Sequence, residues 1–546
     1  MHMTTSSHRG AVFGTIATAV ALTASLLMAS PASAANGTIV GTVTAQQTSS
    51  PVANISVYAF SLDGTFRGSA TTNSSGQYSL PLAPGSYRLQ FFDLSSSLGL
   101  VDEWSGDSLF ESSASSVVVP DGGSTTVNAA LAQGGAIAGS VTSASAGFMG
   151  AMVFAFDPTL RSWEYVRNAI FSTVSPEAYT VQGLSPTLGY RIIFAQGCEG
   201  ADCALIAPRW NGNAATVNSA PDIAVSAGGT TSNVNVTLTT NRTTPVDRIE
   251  GANRYETSAK ISERYDPADV DTVYLANGVK FPDALSAAPA AVHRDAPLLL
   301  TRPDDLPTVI ADALSRLDPD TVIIVGSEAS VSAGVQTLVE QAVPGVTVER
   351  IGGANRFETS RMISEDAFGD GADTAWLATG AGFADALSAA PVAGKNGSPV
   401  ILVDGSASSI DPATATLLTS LGVSKVEIAG SAASVSDGIA ASVDALAGIQ
   451  KVTRRGGVDR YQTSQIINAN RWLLSDEVYL VTGLGFADAL SGAALAGRDG
   501  MPMYSVPGTC VRRGTKGSIW DLTPEKLIVL GGESTVSPAA AALTVC

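Results

Sequence analysis

Arginine recurs in pairs at three places in the C-terminal half of this 546-residue chain: Arg248 with Arg254, Arg350 with Arg356, and Arg454 with Arg460. The third pair has an extra neighbour, Arg455. Guanidinium forks suit phosphate or carboxylate oxygens. Tyr255, Phe357 and Tyr461 follow the second arginine of each pair, and a ring face there suits a sugar. Three such places in tandem suggest a multivalent surface reader more than a single catalytic cleft, since weak sites add through avidity. The same arginines have a competing use. Asp283, Asp385 and Asp488 recur in a motif F-x-D-A-L-S and can pair with Arg254, Arg356 and Arg460, within a copy or between neighbours. A carboxylate at that position also suits a helix start.

Catalysis finds little in the chain. His2 and His8 fall in an N-terminal segment that reads as a signal, which leaves His293 as the one imidazole, and it stands at a helix end in one copy only. No H-E-x-x-H, no G-x-S-x-G and no paired metal-ligating histidines occur, so no catalytic residue, metal ligand or cofactor is assigned. A glycosidase carboxylate pair is the enzymatic alternative. The turns Gly380-Ala381-Gly382 and Gly483-Leu484-Gly485 invite a nucleotide-binding reading. The third glycine of that fingerprint is missing, and Asp385 or Asp488 in its place would repel a pyrophosphate.

Each arginine pair opens one copy of a long repeat: R-I-E-G-A-N-R-Y-E-T-S at Arg248, R-I-G-G-A-N-R-F-E-T-S at Arg350 and R-R-G-G-V-D-R-Y-Q-T-S at Arg454. F-x-D-A-L-S follows in register from Phe281, Phe383 and Phe486, and an apolar strand runs into G-[SG]-x-x-[ST]-V-S at Gly326, Gly430 and Gly531. In the first copy the pattern predicts helices over 257–264, 281–288 and 307–317 and after Ser332. It predicts strands over 272–276, 297–300, 321–326 and 346–349. Apolar strands alternating with helices argue for a parallel sheet covered on both faces.

This triplicated pattern resembles the cell-wall-binding repeat 2 family of Gram-positive surface proteins, over 246–348, 349–452 and 453–546. The resemblance implies three Rossmann-like α/β repeats packed about a pseudo-threefold axis. It implies non-covalent retention on the cell wall through an anionic secondary polymer of the teichoic-acid type. The arginines and aromatics named above, Arg455 included, would be the polymer-binding residues.

Residues 36–241 show period-two patterning with Gly, Ser, Pro and Asn turns, which predicts two antiparallel β-sandwiches, 36–132 and 133–241. The halves answer each other: Gly41-Thr42-Val43-Thr44 to Gly139-Ser140-Val141-Thr142, Tyr78 to Tyr179, and Tyr87 to Tyr190. Asp63-Gly64, Ser75-Gly76-Gln77-Tyr78-Ser79-Leu80 and Pro84-Gly85-Ser86-Tyr87 resemble the carboxypeptidase regulatory-like, prealbumin-type family, which overlaps starch-binding-like folds. That implies spacer or interaction modules. The isopeptide lock of some relatives is excluded, because no lysine precedes Lys260. Trp104, Trp163 and Trp210 are candidates for stacking on sugars, with burial in the core the commoner fate of such rings.

Residues 1–34 read as a secretory signal: Arg9, an uncharged stretch over 11–28, and Ala32-Ser33-Ala34 for cleavage. Its removal leaves 30 basic and 49 acidic residues, a net charge of 30 − 49 = −19, which opposes nucleic acid and anionic lipid as partners. No later run is apolar enough to span a membrane. Four cysteines in an exported chain read as two disulfides, paired by proximity as Cys198 with Cys203 and Cys510 with Cys546. The expectation is a secreted cell-surface protein. The alternative is a secreted glycan-binding or glycan-processing protein of the amylase-associated kind.

Overall fold

The structure is a computed structural model. It describes residues 36–546 apart from 63, 95–96, 144–147, 172–175, 198–205, 241, 281 and 470. The expected signal segment, the Cys198–Cys203 pair and Phe281 lie outside the described residues. The chain divides into two compact units between Arg242 and Thr243.

The N-terminal unit holds two β-sandwiches of the same plan. Period-two patterning is visible in Gln77–Leu82, where exposed and buried positions alternate and Tyr78, Leu80 and Leu82 enter the core with Ile39, Val43, Val57 and Leu89. One sheet of the first sandwich centres on Gly37–Ala45, and the other runs in the order Phe66–Thr71, Ser56–Ser61, Gly85–Phe92, Glu103–Trp104. The expectation of purely antiparallel sheets needs correction. Gly37–Ala45 pairs antiparallel with Gln77–Leu82 but parallel with Ser124–Thr126 and Ala129–Leu131, because the last strands return along the direction of the first. The second sandwich repeats this mixed arrangement around Gly135–Ser143.

The tyrosines that align between the halves make matching bonds. Tyr78 and Tyr179 donate to Val127 O at 2.8 Å and Val234 O at 2.7 Å, while Tyr87 and Tyr190 donate to Ala83 O at 2.7 Å and Ser185 O at 2.9 Å. A buried hydroxyl needs such a partner, so each tyrosine pins a corner of its sandwich. Between the sandwiches, buried Arg167 forms an ion pair with Asp102 and donates to Gln182 O at 2.8 Å. Ser112 donates to the Asp157 carboxylate across the same junction.

The C-terminal unit contains three four-stranded parallel sheets. The first runs Leu298–Thr301, Thr272–Asn277, Thr321–Val325, Thr347–Ile351, and the second runs Val400–Val403, Thr374–Thr379, Lys425–Ala429, Lys451–Arg455. The third runs Met503–Val506, Glu477–Thr482, Lys526–Leu530, Val246–Ile249. The inner strands are largely buried, as apolar runs covered on both faces must be. The strand that opens each repeat therefore completes the sheet of another one. Thr347–Ile351 and Lys451–Arg455 serve the repeat before them, and Val246–Ile249 serves the last, so the exchange closes into a ring.

The helices Ala287–His293, Ala384–Lys395 and Ala487–Arg498 pack against one another at the centre. The first begins later than the predicted 281–288, after a run of turns. Small residues permit the close approach, and Val292 occupies a position where the other two helices have Gly394 and Gly497. A side chain at either glycine would collide with Val292, so one valine fills the space that three would overcrowd. Buried serines link neighbouring repeats at the same level: Ser286 with Ser360 at 2.7 Å, Ser491 with Ser258 at 3.0 Å, and Ser388 with Ser505 at 3.5 Å. Cys510 and Cys546 are disulfide-bonded and tie the C-terminal segment to the third repeat.

Candidate functional site

The recurrent motifs gather at the carboxyl ends of the parallel strands, the edge where open α/β sheets place their sites. The local sequence explains how the opening helices Arg254–Ser262, Arg356–Phe368 and Arg460–Asn468 begin there. Asn253, Asn355 and Asp459 are the N-caps, each accepting from two backbone N–H groups of the first turn. Glu256, Glu358 and Gln462 reach back to the N–H groups of Ala252, Ala354 and Val458, one residue before each cap, at 2.7–2.8 Å, a close variant of the capping box. Ser258, Ser360 and Ser464 then accept from backbone N–H groups of a sheet strand, at Leu300, Leu402 and Ser505. Most of the opening motif is thus a device that starts a helix and fastens it to a sheet.

The two arginines of each pair lie in different settings. Arg248 donates to Gly531 O at 2.6 Å and Val536 O at 2.8 Å. Arg350 donates to Gly326 O at 3.1 Å and Val331 O at 2.7 Å, and Arg454 to Gly430 O at 3.2 Å and Val435 O at 2.8 Å. The first arginine therefore clasps the G-[SG]-x-x-[ST]-V-S loop of the sheet that its strand completes. Gly326, Gly430 and Gly531 have φ between +93° and +108°, a left-handed turn that brings these carbonyls round. Burial lowers the Arg350 pKa. Arg455 is also engaged, at 2.7 Å from Glu427, which holds Arg471 at 3.0 Å on its other oxygen.

Of the second arginines, Arg254 and Arg460 are exposed and Arg356 is half-buried. Each donates one N–H to the carbonyl of a strand-end glycine: Arg254 to Gly278, Arg356 to Gly380 at 2.5 Å, and Arg460 to Gly483 at 2.6 Å. The half-buried rings of Tyr255, Phe357 and Tyr461 lie over these same glycines. The Arg254 guanidinium sits 5.6 Å from the ring centre of Phe486 in the third repeat, and Arg460 sits 5.5 Å from that of Phe383 in the second. The two phenylalanine rings are 6.1 Å apart.

The aspartates of F-x-D-A-L-S stand just behind. Burial raises the pKa of Asp385 and Asp488, opposed by the Ser434 hydroxyl and Arg460 at the first and by Arg254 and the Thr257 hydroxyl at the second. Arg254 and Arg460 are therefore near neighbours of carboxylates from other repeats, the inter-repeat version of the competing use. Each of these two guanidinium groups donates to a glycine carbonyl and lies over a phenylalanine ring.

Two residues of this face have no place in the recurrent motifs. Arg302 lies over the Tyr255 ring at 5.4 Å, and Arg512 over the Tyr461 ring at 5.7 Å. Arg302 directly follows the strand Leu298–Thr301, whereas Arg512 comes six residues after Met503–Val506, so no shared spacing marks them. Elsewhere, Trp210 is buried, while Trp104 and Trp163 are half-buried and pack at an angle against Phe60 and Phe156. His293 is exposed at its helix end and lies against Phe368. Among the described residues, no group of three or more His, Cys, Asp or Glu could hold a metal ion, and no helix is long and apolar enough to cross a membrane.

The family model for cell wall binding domain 2 matches residues 248–336, 350–440 and 454–541, and that for the carboxypeptidase regulatory-like domain matches 38–132. N-acetylmuramoyl-L-alanine amidase LytC of Bacillus subtilis is 29% identical over 297 residues, 54% of this chain and 57% of the relative. The Amidase enhancer of the same organism is 30% identical over 292 residues, 53% of this chain and 39% of the relative. The chain thus spans about half the length of these curated relatives, and the LytC likeness lies in the repeat region. Cwp6 from Clostridium difficile is similar in fold with a TM-score of 0.51 at 22% identity, covering 75% of this chain and 68% of that one. Cwp8 from the same organism gives 0.50 at 18% identity, covering 88% and 78%. The C-terminal half of this chain consists of three tandem members of the cell wall binding domain 2 family, and residues 38–132 form a carboxypeptidase regulatory-like domain.

Proposed function

We propose that the repeats hold this protein non-covalently on the Gram-positive cell wall by binding an anionic secondary polymer of the teichoic-acid type. The observation that carries this reading is the threefold recurrence of Arg254, Arg356 and Arg460 beside an aromatic ring on one edge of the sheets. Each guanidinium is oriented by a glycine carbonyl, which leaves other N–H groups for an anion. The family's name and the cell-wall relatives support the same reading; amidase activity is said of LytC, not of this chain. Arg248, Arg350, Arg454 and Arg455 are assigned to holding the repeats together, since carbonyls and a carboxylate already engage them.

The repeats, with bounds 246–348, 349–452 and 453–546, are proposed to be Rossmann-like units about a pseudo-threefold axis through the central helices. The sandwiches act as spacer or interaction modules on a secreted, non-catalytic surface protein. Co-sedimentation of the full chain with purified walls tests the reading, before and after hydrofluoric acid strips phosphate-linked polymers. Binding that vanishes with the polymer is expected. Failure to bind intact walls would sink the anchoring function.

A further inference from the structure

We propose that polymer contact is unequal among the three repeats. It follows one track of alternating guanidinium groups and rings, in which Arg302 and Arg512 are further binding residues at the two ends. This rests on the anchoring reading above and deepens it.

The track can be followed residue by residue. Arg302 covers Tyr255, and Tyr255 shares the Gly278 turn with Arg254. Arg254 covers Phe486, which touches Phe383. Arg460 covers Phe383 and shares the Gly483 turn with Tyr461, and Arg512 covers Tyr461. The first and third repeats thus each offer a tyrosine between two guanidinium groups. The second repeat differs. Its ring is Phe357, without a hydroxyl, and the residue after its strand Val400–Val403 is Asp404, whose carboxylate accepts from Ser406. Among the described residues, no cation lies over Phe357.

The ligand this surface fits is a glycan chain bearing phosphate or carboxylate groups, with sugar faces on the rings and anions on the guanidinium forks. Arg302 and Arg512 already have carboxylate neighbours, Asp305 at 2.8 Å and Asp459 at 3.1 Å. Both arginine side chains are about half exposed, at 53% and 52%, and ion pairs in such settings are weak. A polyanion can therefore replace these carboxylates at small cost. Two clamps on one unit engage the same chain, so losing both weakens binding more than losing either.

The test measures binding of the full chain to purified Gram-positive walls. It compares the unmodified protein, Arg302→Gln, Arg512→Gln, the double variant, and a charge-matched control, Lys425→Gln with Lys451→Gln. The control lysines start their strands and so lie at the opposite edge of the second sheet. The double arginine variant is expected to bind about tenfold more weakly or worse, with each single variant between, and the control to stay within about twofold. Thermal melting of every variant should match the unmodified protein. Hydrofluoric acid treatment separates the sources: binding lost with the phosphate polymer identifies phosphate, and Arg302- and Arg512-dependent binding that survives identifies carboxylate. Wall binding by the double variant equal to that of the unmodified protein, or an equal loss in the control, overturns the inference and leaves the anchoring function standing. No wall binding by the unmodified protein overturns both.

Discussion

Both units of this molecule repeat a module, but they join their copies in opposite ways. Each N-terminal sandwich completes its own two sheets, and its neighbour is fastened by a few polar contacts centred on Arg167 and Asp102. No C-terminal repeat completes its own sheet, because each takes its fourth strand from another repeat and adds a helix to a shared centre. A sandwich in tandem is a module with a joint. A repeat in this ring is an incomplete module, whose missing edge is supplied only when the set is whole.

The largest effect expected from this contrast follows deletion of a copy. Removing residues 454–546 strips Val246–Ile249 of its partner strand and uncovers Ala287–His293 and Ala384–Lys395. The remaining repeats should lose their cooperative melting transition, followed by circular dichroism. Residues 36–132 alone should keep theirs, and persistence of a sharp transition in the two-repeat chain would break the contrast.

Next in size is Arg167→Ala, which removes the guanidinium that Asp102 and the Gln182 carbonyl engage at the joint. The cost expected is about 3 kcal/mol, read from denaturant unfolding and confined to the N-terminal unit. Reduction of Cys510–Cys546 should have an effect of the same size, roughly 3–4 kcal/mol from the loop it closes. In a true ring that loss lowers the single transition of all three repeats, whereas an early transition of the third repeat alone would show that the repeats melt separately.

The smallest effect is a pH dependence in the N-terminal unit. Burial pushes the Glu103 carboxyl up to about 7, helped by Asp107 and Asp102 and opposed by a hydrogen bond from the Ala132 backbone. A carboxyl whose folded-state pKa is raised favours the protonated fold. Its stabilisation is full below the ordinary carboxylate range and is lost as the pH rises through about 7. The N-terminal unit should melt higher at pH 5 than at pH 8, by about 1–2 kcal/mol once solvent screening of the carboxyl is allowed for, and Glu103→Gln should flatten that slope. An unchanged slope in the variant would assign it to other groups.

Much of the architecture was legible because it is written in local patterns. Period two marked the sandwich strands, and the apolar runs from Leu298 and Val322 marked buried parallel strands. The glutamate and threonine of N-R-Y-E-T-S belong to a helix start. The exchange of strands was not legible. Val246–Ile249 and Lys526–Leu530 are separated by nearly the whole unit, and a repeat period says nothing about whose sheet a strand joins. The site was legible only in part for a related reason. Both arginines of a pair recur equally, yet one clasps the loop that follows a neighbouring strand and the other lies beside a strand-end glycine and an aromatic ring. Arg302 and Arg512 converge on equivalent tyrosines from unequal positions in the chain, so only three-dimensional neighbourhood relates them.

The strand Val246–Ile249 also determines how a pull on the protein would be borne. Tension arriving through the link at 243–245 enters at its first residue, and under the proposed anchoring the contacts at Arg356 and Arg460 hold the ring on the far side of its hydrogen bonds. The load then runs along the strand, parallel to Lys526–Leu530. In that direction the backbone hydrogen bonds are sheared together instead of being opened one after another like a zipper. The partner strand belongs to the last repeat, so a force applied at the first is handed at once to the far end of the chain. Under the proposed anchoring, traction at the first repeat is shared with the last one from the start.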